Sequence, residues 1–356
     1  MLRKIGVLTF HRCINYGSYW QARCLIEGLR AMGHDAVLLN HHSSNVNRRE
    51  WRCALEPQLP LRSSTDDRLR YAAKTRLFIR ALARLPQSSE FELDDPRTFG
   101  DWDVVIVGSD EVWNLRHPWY GDHAAPFYGC GIRSKRLISY AASFGSQPAV
   151  EGLPPFWADA LSDFTRISVR DTNSARIIRD ALGREAEIVL DPCLQFSAAV
   201  QSVDEIDNDH PYIAIYGHGF PDWFLQIIQG WARKRGYRLV SVGYRNDWAD
   251  DHFIDAGPHA FANLLAGAAA VATNFFHGCV FALLNRKPFA CVSSEYRANK
   301  LTGLMQLLSA ERHLLREMPD PSPDCILDDP IEPAVLKRIA ALRRRSRRFI
   351  EKAVSP

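Results

Sequence analysis

Short apolar runs that alternate with helical stretches are the feature of this sequence that most limits its fold. Ile5 to Phe10 is one such run, and apolar residues at helical spacing follow it from Ala22 to Met32. Gly33 stands where a helix C-cap is expected, and Ala36 to Leu39 is the next apolar run. Strands separated by one helix pair in parallel, so the pattern predicts a β-α-β unit at the start of the chain.

The same alternation continues in two series. In the first series, the predicted strands are Asp103 to Val107, Leu137 to Tyr140, Ile167 to Val169 and Ile188 to Leu190, with a helix from Asn173 to Leu182. In the second series, the predicted strands are Tyr212 to Tyr216, Arg238 to Val242, Ala270 to Thr273 and Pro288 to Val292, with helices at Asp222 to Lys234, after Pro258 and at Gly278 to Leu284. The prediction is an α/β protein with two doubly wound domains, and ligands of such sheets bind outside the carboxyl ends of the strands. A cleft between the domains is therefore the expected working site.

The predicted domain boundaries follow from breaks in this rhythm. We expect a first domain at 1–200 with a polar, Arg-rich helical insertion at about 41–100, including a helix near Arg68 to Leu85. The second domain is expected at 201–330, where 201–210 is a polar, acidic linker between the two series, and a basic helix occupies 331–356. That last helix places Val335, Ile339, Leu342 and Phe349 on one face and arginines around the rest. Packing by the apolar stripe is one interpretation, and peripheral contact with an anionic membrane is the other.

Composition excludes several classes of protein. The chain is 46% hydrophobic and 24% charged, which excludes disordered, collagen-like and coiled-coil proteins. Forty-four basic against 41 acidic residues give a net charge of +3, too balanced for nucleic acid as the main partner. The eight cysteines form no CxxC pair, which favours a reducing compartment. No apolar run reaches the length of about 18 residues that a membrane span needs, so a cytoplasmic protein is expected.

Two loops of the first series carry polar side chains at predicted strand ends. The loop from His11 to Ser18 contains Asn15, Tyr16 and Gly17 and leads to Gln21. It matches no phosphate-binding glycine fingerprint, and a simple capped turn is the alternative interpretation.

The second of these loops follows the strand that ends at Val107. Ser109, Asp110, Trp113 and Asn114 offer carboxylate and amide groups for hydroxyls and an indole for a sugar ring. Asp110 is the candidate general base, and a capped turn is again the alternative.

Cationic side chains in both series are the candidates for binding an anion. His277 precedes Gly278 at a predicted helix start, where the helix dipole favours an anion, and Asn274 lies beside it. Arg170 ends a predicted strand and is suited to bidentate capture of carboxylate or phosphate, although an ion pair with Asp171 or Asp191 is the alternative. Arg297 and Lys300 extend this positive set or are surface charges. The histidines lack metal-ligand spacing, so no metal is expected.

Seven ordered motifs between residue 5 and about residue 315 resemble the polysaccharide pyruvyl transferase family. The matching segments are Phe10-His11 with Asn15-Tyr16-Gly17 and Gln21-Ala22, Val107 to Asp110 with Val112-Trp113-Asn114, Ile138 to Gly145, Ile167 to Asp171, Val189 to Pro192, His277-Gly278, and Asn285 to Phe289. The resemblance implies a fold like the GT-B glycosyltransferases and transfer of the enolpyruvyl group of phosphoenolpyruvate to sugar hydroxyls as a cyclic ketal. The acceptor implied is a glycan or a lipid-linked sugar, with no cofactor besides the co-substrate.

The resemblance also implies roles for particular residues. His277 corresponds to a donor-site histidine, Arg170 to an anion-binding arginine, and the segments around Asn15 and Asp110 to the acceptor side. Phe275 departs from the small polar residue or arginine that relatives often carry, so another cation is expected to replace that donor contact. Two other functions stay open from the sequence: the same fold recruited to another transfer, such as natural-product tailoring or glycosyl transfer from a nucleotide sugar, and a binding protein without catalysis.

Overall fold

The computed structural model of the chain describes residues 2–95, 100–200, 210–294, 298–317 and 323–355. These residues form two compact units. The first unit comprises Met1–Glu50, Leu82–Ala199 and Ile339–Pro356, and the second comprises Trp51–Ala81 and Val200–Arg338. The linker expected at 201–210 lies outside the described residues except for its last position.

The first unit contains a parallel sheet with helices. Its strands are β1 (Lys4–Leu8), β2 (Asp35–Leu38), β3 (His41–His42), β4 (Phe91–Glu92), β5 (Val104–Val107), β6 (Leu137–Ser139), β7 (Ser168–Val169) and β8 (Glu187–Ile188). Its helices are α1 (Tyr16–Ala31), α2 (Ser44–Leu55, shared with the second unit), α4 (Pro155–Ser162), α5 (Thr172–Leu182) and α6 (Pro192–Gln195). The main sheet has the order β2-β1-β5-β6, and β7 pairs with β8. Single parallel bridges join Ile138 of β6 to Arg166, and Ala142 to Val169 of β7.

The second unit contains a five-stranded parallel sheet of order β11-β10-β9-β12-β13. These strands are β9 (Tyr212–Tyr216), β10 (Arg238–Val242), β11 (Asp251–Phe253), β12 (Ala270–Thr273) and β13 (Phe289–Cys291). The helices are α3 (Thr65–Leu82), α7 (Asp222–Arg235), α8 (Pro258–Gly267), α9 (Phe276–Leu284), α10 (Ala298–Leu308), α11 (Pro323–Asp328) and the start of α12 (Pro333–Val354). The predicted α/β class with two Rossmann-like parallel sheets is confirmed, and the predicted strands are found within one or two residues.

Each unit has its own apolar core, made where helices cover a sheet. In the first unit, strand residues Val105 and Val107 pack with the aromatic side chains of Trp113, Phe127 and Phe164. A separate cluster in the second unit gathers strand residues with apolar residues of α7, including Ile213, Ile215, Phe224, Ile228 and Trp231. Parallel strands are apolar along their whole length because helices bury both faces, and that is the pattern visible in the sequence.

The helical insertion is divided differently from the sequence expectation. Residues 51–81, which include α3, group with the second unit, whereas the sequence placed them with the first domain. The ammonium of Lys74 on α3 donates to the carbonyl oxygen of Gly243 at 2.8 Å, and the amide of Arg245 donates to the Tyr71 hydroxyl at 3.1 Å. These long-range bonds tie α3 to the loop after β10.

The predicted apolar stripe of the C-terminal helix is confirmed. Val335, Ile339, Leu342 and Phe349 are all buried. From Ile339 onward, the helix belongs to the first unit. The hydroxyl of Ser346, which is fully buried, accepts a hydrogen bond from the amide of Leu190 at 2.9 Å.

Candidate functional site

The first candidate site lies at the carboxyl edge of the first sheet, where the strand order reverses between β1 and β5. The loops that leave these two strands flank this switch point, which is where ligands of doubly wound sheets bind. Asn15 caps α1, because its side-chain oxygen accepts from the amides of Gly17 at 2.8 Å and Ser18 at 3.3 Å. The cap turns the Ser18 hydroxyl toward the other loop, where it donates to Asp110 at 2.8 Å.

Asp110 is the centre of this arrangement. Its φ angle of 86° is in the left-handed region, which a non-glycine residue rarely adopts unless surrounding contacts enforce it. Besides the Ser18 hydroxyl, the carboxylate accepts from the amide of Glu111 at 2.9 Å and from the guanidinium of Arg170 at 3.2 Å. Asp110 keeps 9% of its surface accessible. These donors fix the carboxylate in one orientation at the carboxyl edge of the sheet, where it accepts a hydrogen bond from a hydroxyl, that of Ser18.

Arg170 follows β7 and is held by two carboxylates from different loops. Its guanidinium lies 3.2 Å from Asp110 and 3.5 Å from Asp191, and only 3% of its side chain is exposed. Burial opposes the charge of Arg170, but the neighbouring carboxylates outweigh that effect and raise its pKa above the ordinary value. The structure therefore shows the ion-pair alternative, with Asp191 as one of the expected partners and Asp110 as an unexpected one.

Several residues expected to contact an acceptor are enclosed in the protein. Trp113 is fully buried, its indole N–H donates to the carbonyl oxygen of Phe127 at 2.8 Å, and its ring packs against Phe144 and Phe164. An indole enclosed in this way presents no ring face to a sugar, so nothing in this structure supports the acceptor role predicted for Trp113. Core packing explains its presence instead.

Gln21 and Ser109, two other residues predicted to contact the acceptor, are also fully buried. Gln21 donates to the Thr9 hydroxyl and to the carbonyl oxygen of Ser18, both at 2.9 Å, so it braces the first loop from inside. His11, Tyr16 and Asn114 are buried with at most 2% exposure. Burial and the nearby Arg12 lower the pKa of His11 to about 4, which leaves its ring neutral at neutral pH.

Glu50 is a buried acid at this site that the sequence analysis missed. Its carboxylate accepts from the amide of Ile14 at 2.8 Å, so α2 supports the first loop. Burial raises the pKa of Glu50 from 4.5 to about 7. Glu50 stands in a polar, arginine-rich stretch of α2, where a glutamate is unremarkable, and its contact with Ile14 spans 36 residues, so the sequence gives no local signal for this role.

The second candidate site lies at the switch point of the second sheet, between β9 and β12. The side-chain nitrogen of Asn274 donates to the carbonyl oxygen of His218 at 2.8 Å and so joins the loops after these two strands. Asn274 is 2% exposed, and its side-chain oxygen is buried with no hydrogen-bond partner among the described residues. Gly217 has a φ angle of 143°, and a side chain there would lie 2.0 Å from that oxygen. The glycine is required for this close approach.

His277 is the second residue of α9, and 8% of its surface is exposed. Its neighbour Gly278 lies so close to β12 that a Cβ atom would be 2.0 Å from the Thr273 hydroxyl. This contact is the physical reason for a glycine after the histidine. The amide groups of the first turn of α9 form the positive end of the helix dipole beside His277.

The structure describes some, but not all, of the other residues considered for the donor side. Phe275 is half-buried and meets the rings of His218, Tyr216 and Tyr244 at centroid distances of 5.0 to 5.5 Å. Lys300 lies half-buried on α10. Arg297 lies outside the described residues.

Lys74 is a second buried group that the sequence did not reveal. It is 3% exposed, and its ammonium lies 4.9 Å from the ring centres of both Tyr71 and Tyr244. Burial lowers its pKa from 10.5 to about 7. Through Tyr244, it adjoins the aromatic group around Phe275 at the carboxyl edge of the second sheet.

Comparison with known proteins agrees with the motifs. The model of the polysaccharide pyruvyl transferase family matches residues 15–296, which is more than half of the chain. The chain therefore belongs to that family of transferases. A search of the curated proteins returned no match with this sequence.

Among solved structures, the chain is similar to a glycosyltransferase, an epimerase and a heptosyltransferase. The Streptomyces sp. SF2575 glycosyltransferase SsfS6 complexed with thymidine diphosphate is 14% identical, with a TM-score of 0.45 and coverage of 98% of this chain and 99% of that one. The UDP-GlcNAc 2-epimerase from Neisseria meningitidis bound to UDP-GlcNAc is 9% identical, with a TM-score of 0.45 and coverage of 98% and 99%. The Escherichia coli heptosyltransferase WaaC with ADP-2-deoxy-2-fluoro heptose is 12% identical, with a TM-score of 0.39 and coverage of 81% and 87%.

Proposed function

We propose that this protein transfers the enolpyruvyl group of phosphoenolpyruvate to two hydroxyls of a sugar in a glycan or lipid-linked intermediate and forms a pyruvate ketal. The observation that carries the proposal is the Asp110 carboxylate, which is fixed by three donors at the switch point of a chain that belongs to the pyruvyl transferase family. Because phosphoenolpyruvate is an intermediate of glycolysis, the proposal places the reaction in the cytoplasm.

The chemistry needs an acid, a base and positive groups for the donor. Protonation of the methylene carbon of phosphoenolpyruvate makes C2 electrophilic, and a sugar hydroxyl forms a bond to C2 as it loses its proton. The C2–O bond to phosphate then breaks, phosphate leaves with its electron pair, and the second hydroxyl adds to C2, loses its proton and closes the ring. General acid and base groups and preorganised dipoles are the expected sources of rate enhancement.

We assign the base to the first unit and the donor contacts to the second. Asp110 takes the hydroxyl proton, while Arg170 acts as a positioning residue because it holds the Asp110 carboxylate. Among the residues predicted to contact the acceptor, Asn15 is the half-buried one. We assign the loop that carries Asn15 to binding the acceptor hydroxyls. His277 and Asn274 are the donor groups, with His277 as acid or phosphate contact. Lys300 serves as a cation for the donor.

Incubation of the protein with phosphoenolpyruvate and candidate sugars tests the proposal. We expect phosphate release with a matching mass gain on the acceptor. Asp110→Asn is expected to lower kcat about 10²–10⁴-fold, as is typical for loss of a general base. His277→Ala is expected to lose activity as well, whereas Asp180→Asn on the solvent side of α5 leaves it unchanged.

Two results would contradict the proposal. One is phosphate release that is the same in wild type and in both site variants. The other is a rise in melting temperature with a nucleotide sugar but none with phosphoenolpyruvate, which would favour glycosyl transfer on the same fold.

A further inference from the structure

The segment from Trp51 to Ala81 exposes an unusual amount of large apolar surface. Six of the ten exposed large apolar side chains found among the described residues lie between Trp51 and Ile79. The most exposed are Leu61 at 68%, Leu69 at 66%, Leu59 at 53% and Trp51 at 50%. Single exposed apolar residues are ordinary on a protein surface, but a concentration in one short segment is typical of an interaction surface.

The loop between α2 and α3 presents two of these residues on a braced turn. One carboxylate oxygen of Glu56 accepts from the amide of Ser63 at 2.7 Å, and the other lies 2.6 Å from the guanidinium of Arg68. The side chain of Gln58 donates to the carbonyl oxygen of Arg245 at 2.6 Å. These bonds close the base of the loop. Residues 59–62 lie between the bonded positions, and both leucines of this stretch, Leu59 and Leu61, are exposed.

The charge of the same segment is strongly positive. Residues 51–81 contain six arginines and one lysine against three acidic residues. Two of those acids are already engaged, Glu56 with Arg68 and Asp67 with Arg245. Four exposed arginines have no carboxylate partner among the described residues: Arg52, Arg62, Arg76 and Arg80. Trp and Leu side chains beside arginines are the composition of a surface that binds an anionic membrane interface.

We propose that this segment, which we call the 51–81 surface, docks on an anionic lipid bilayer. Leu59 and Leu61 in the loop between α2 and α3 and Trp51 on α2 enter the headgroup region, and Arg52 and Arg62 contact lipid phosphates. An anionic bilayer complements the positive charge of this surface, whereas a second copy of the same surface would repel it. This docking site is separate from the C-terminal helix α12. Lipid binding is measured without substrates, so its test does not depend on the proposed reaction.

Cosedimentation of the full chain with vesicles tests the proposal. We expect binding to vesicles of phosphatidylcholine with phosphatidylglycerol, weaker binding at high salt, and little binding to phosphatidylcholine alone. The double variant Leu59→Ser with Leu61→Ser is expected to weaken binding to the anionic vesicles about tenfold or more. Arg52→Glu with Arg62→Glu is expected to have a similar effect.

The chain offers a matched control on another surface. Val150 and Phe156 are exposed at 80% and 64% in the first unit, and we expect Val150→Ser with Phe156→Ser to leave vesicle binding unchanged. All variants change exposed side chains, and an unchanged melting temperature confirms that they fold.

Three outcomes would overturn the proposal. Unchanged vesicle binding in both 51–81 variants is one, and loss of binding only in Arg344→Glu with Arg348→Glu would move the contact to α12. The third is a wild-type protein that does not bind vesicles but self-associates in solution and becomes monomeric in the Leu59→Ser, Leu61→Ser variant. That result would make the surface an interface between copies of this chain.

Discussion

At the scale of single residues, burial changes the chemistry of groups whose sequence context is ordinary. Glu50 and Lys74 both have pKa values near 7, because each is removed from water by the packing of its helix. The two shifts have opposite directions, up for the acid and down for the base. Each therefore links the free energy of unfolding to pH over a different range.

Glu50→Gln tests this link in the first unit. The pKa of Glu50 rises from 4.5 to about 7 on folding, so its contribution to stability is complete below pH 4.5 and is lost as the pH rises through 7. Glutamine keeps the acceptor for Ile14 without the charge. We expect the variant to be more stable than wild type above pH 7, by up to about 3 kcal/mol, with the gain shrinking toward low pH.

Urea unfolding at about pH 5 and about pH 8 measures this difference. Glu185→Gln, at an exposed position, is the control and should show no such pH dependence. A stability difference between Glu50→Gln and wild type that is equal at both pH values would show that the buried carboxyl does not titrate as described.

At the scale of elements, the two sites are built by loops at strand ends, and their glycines set how closely those loops approach. Gly217 lies against Asn274, and Gly278 lies against Thr273. The Thr273 hydroxyl donates to the carbonyl oxygen of Tyr216 at 2.6 Å, which fixes it in place. The start of α9 and its histidine therefore depend on the missing side chain at Gly278.

Gly278→Ala is expected to destabilise the second unit by about 1–3 kcal/mol, because the new methyl group overlaps the fixed Thr273 hydroxyl. Thermal or urea unfolding measures the loss. Gly230→Ala in α7 is the matched control, since a side chain there meets no atom within 4 Å and the substitution favours the helix. We expect the control to be neutral or slightly stabilising, and equal effects of the two substitutions would refute the close-packing explanation.

At the scale of the whole molecule, the two units are assembled from segments distant in sequence. The first unit takes its last segment from Ile339–Pro356, and the second takes Trp51–Ala81. Tyr140, which follows β6, meets Phe349 of α12 at a ring-centroid distance of 6.5 Å. Among the described residues, no helix has both the length and the apolar composition to cross a membrane.

Ser346→Ala tests how firmly the C-terminal segment completes the first unit. The substitution leaves the buried amide of Leu190 without its acceptor, which is expected to cost about 1–3 kcal/mol in the free energy of unfolding. Denaturant unfolding measures this change. Ser355→Ala, at an exposed position on the same segment, should change stability by less than about 0.5 kcal/mol. Equal stability of wild type and Ser346→Ala would mean that the contact contributes nothing.

Local patterns in the sequence determined most of the architecture. Apolar runs and helical spacing are properties of neighbouring residues, so they predicted the strands, the parallel sheets, the loops at both switch points and the apolar face of α12. The ordered motifs predicted the family that the comparison confirmed. Positions such as Asp110 and Asn274 were found because strand ends of parallel sheets share one edge.

Only the tertiary structure decided which side chains meet. Arg170 pairs with Asp110, 60 residues away, because three loops converge on one point, and no local pattern contains that information. Trp113 has the residue type of a sugar-binding group, yet its packing partners enclose it completely. The burial that shifts Glu50 and Lys74 likewise comes from contacts across the fold. Periodicity specifies the elements, whereas burial and pairing of polar groups depend on long-range packing.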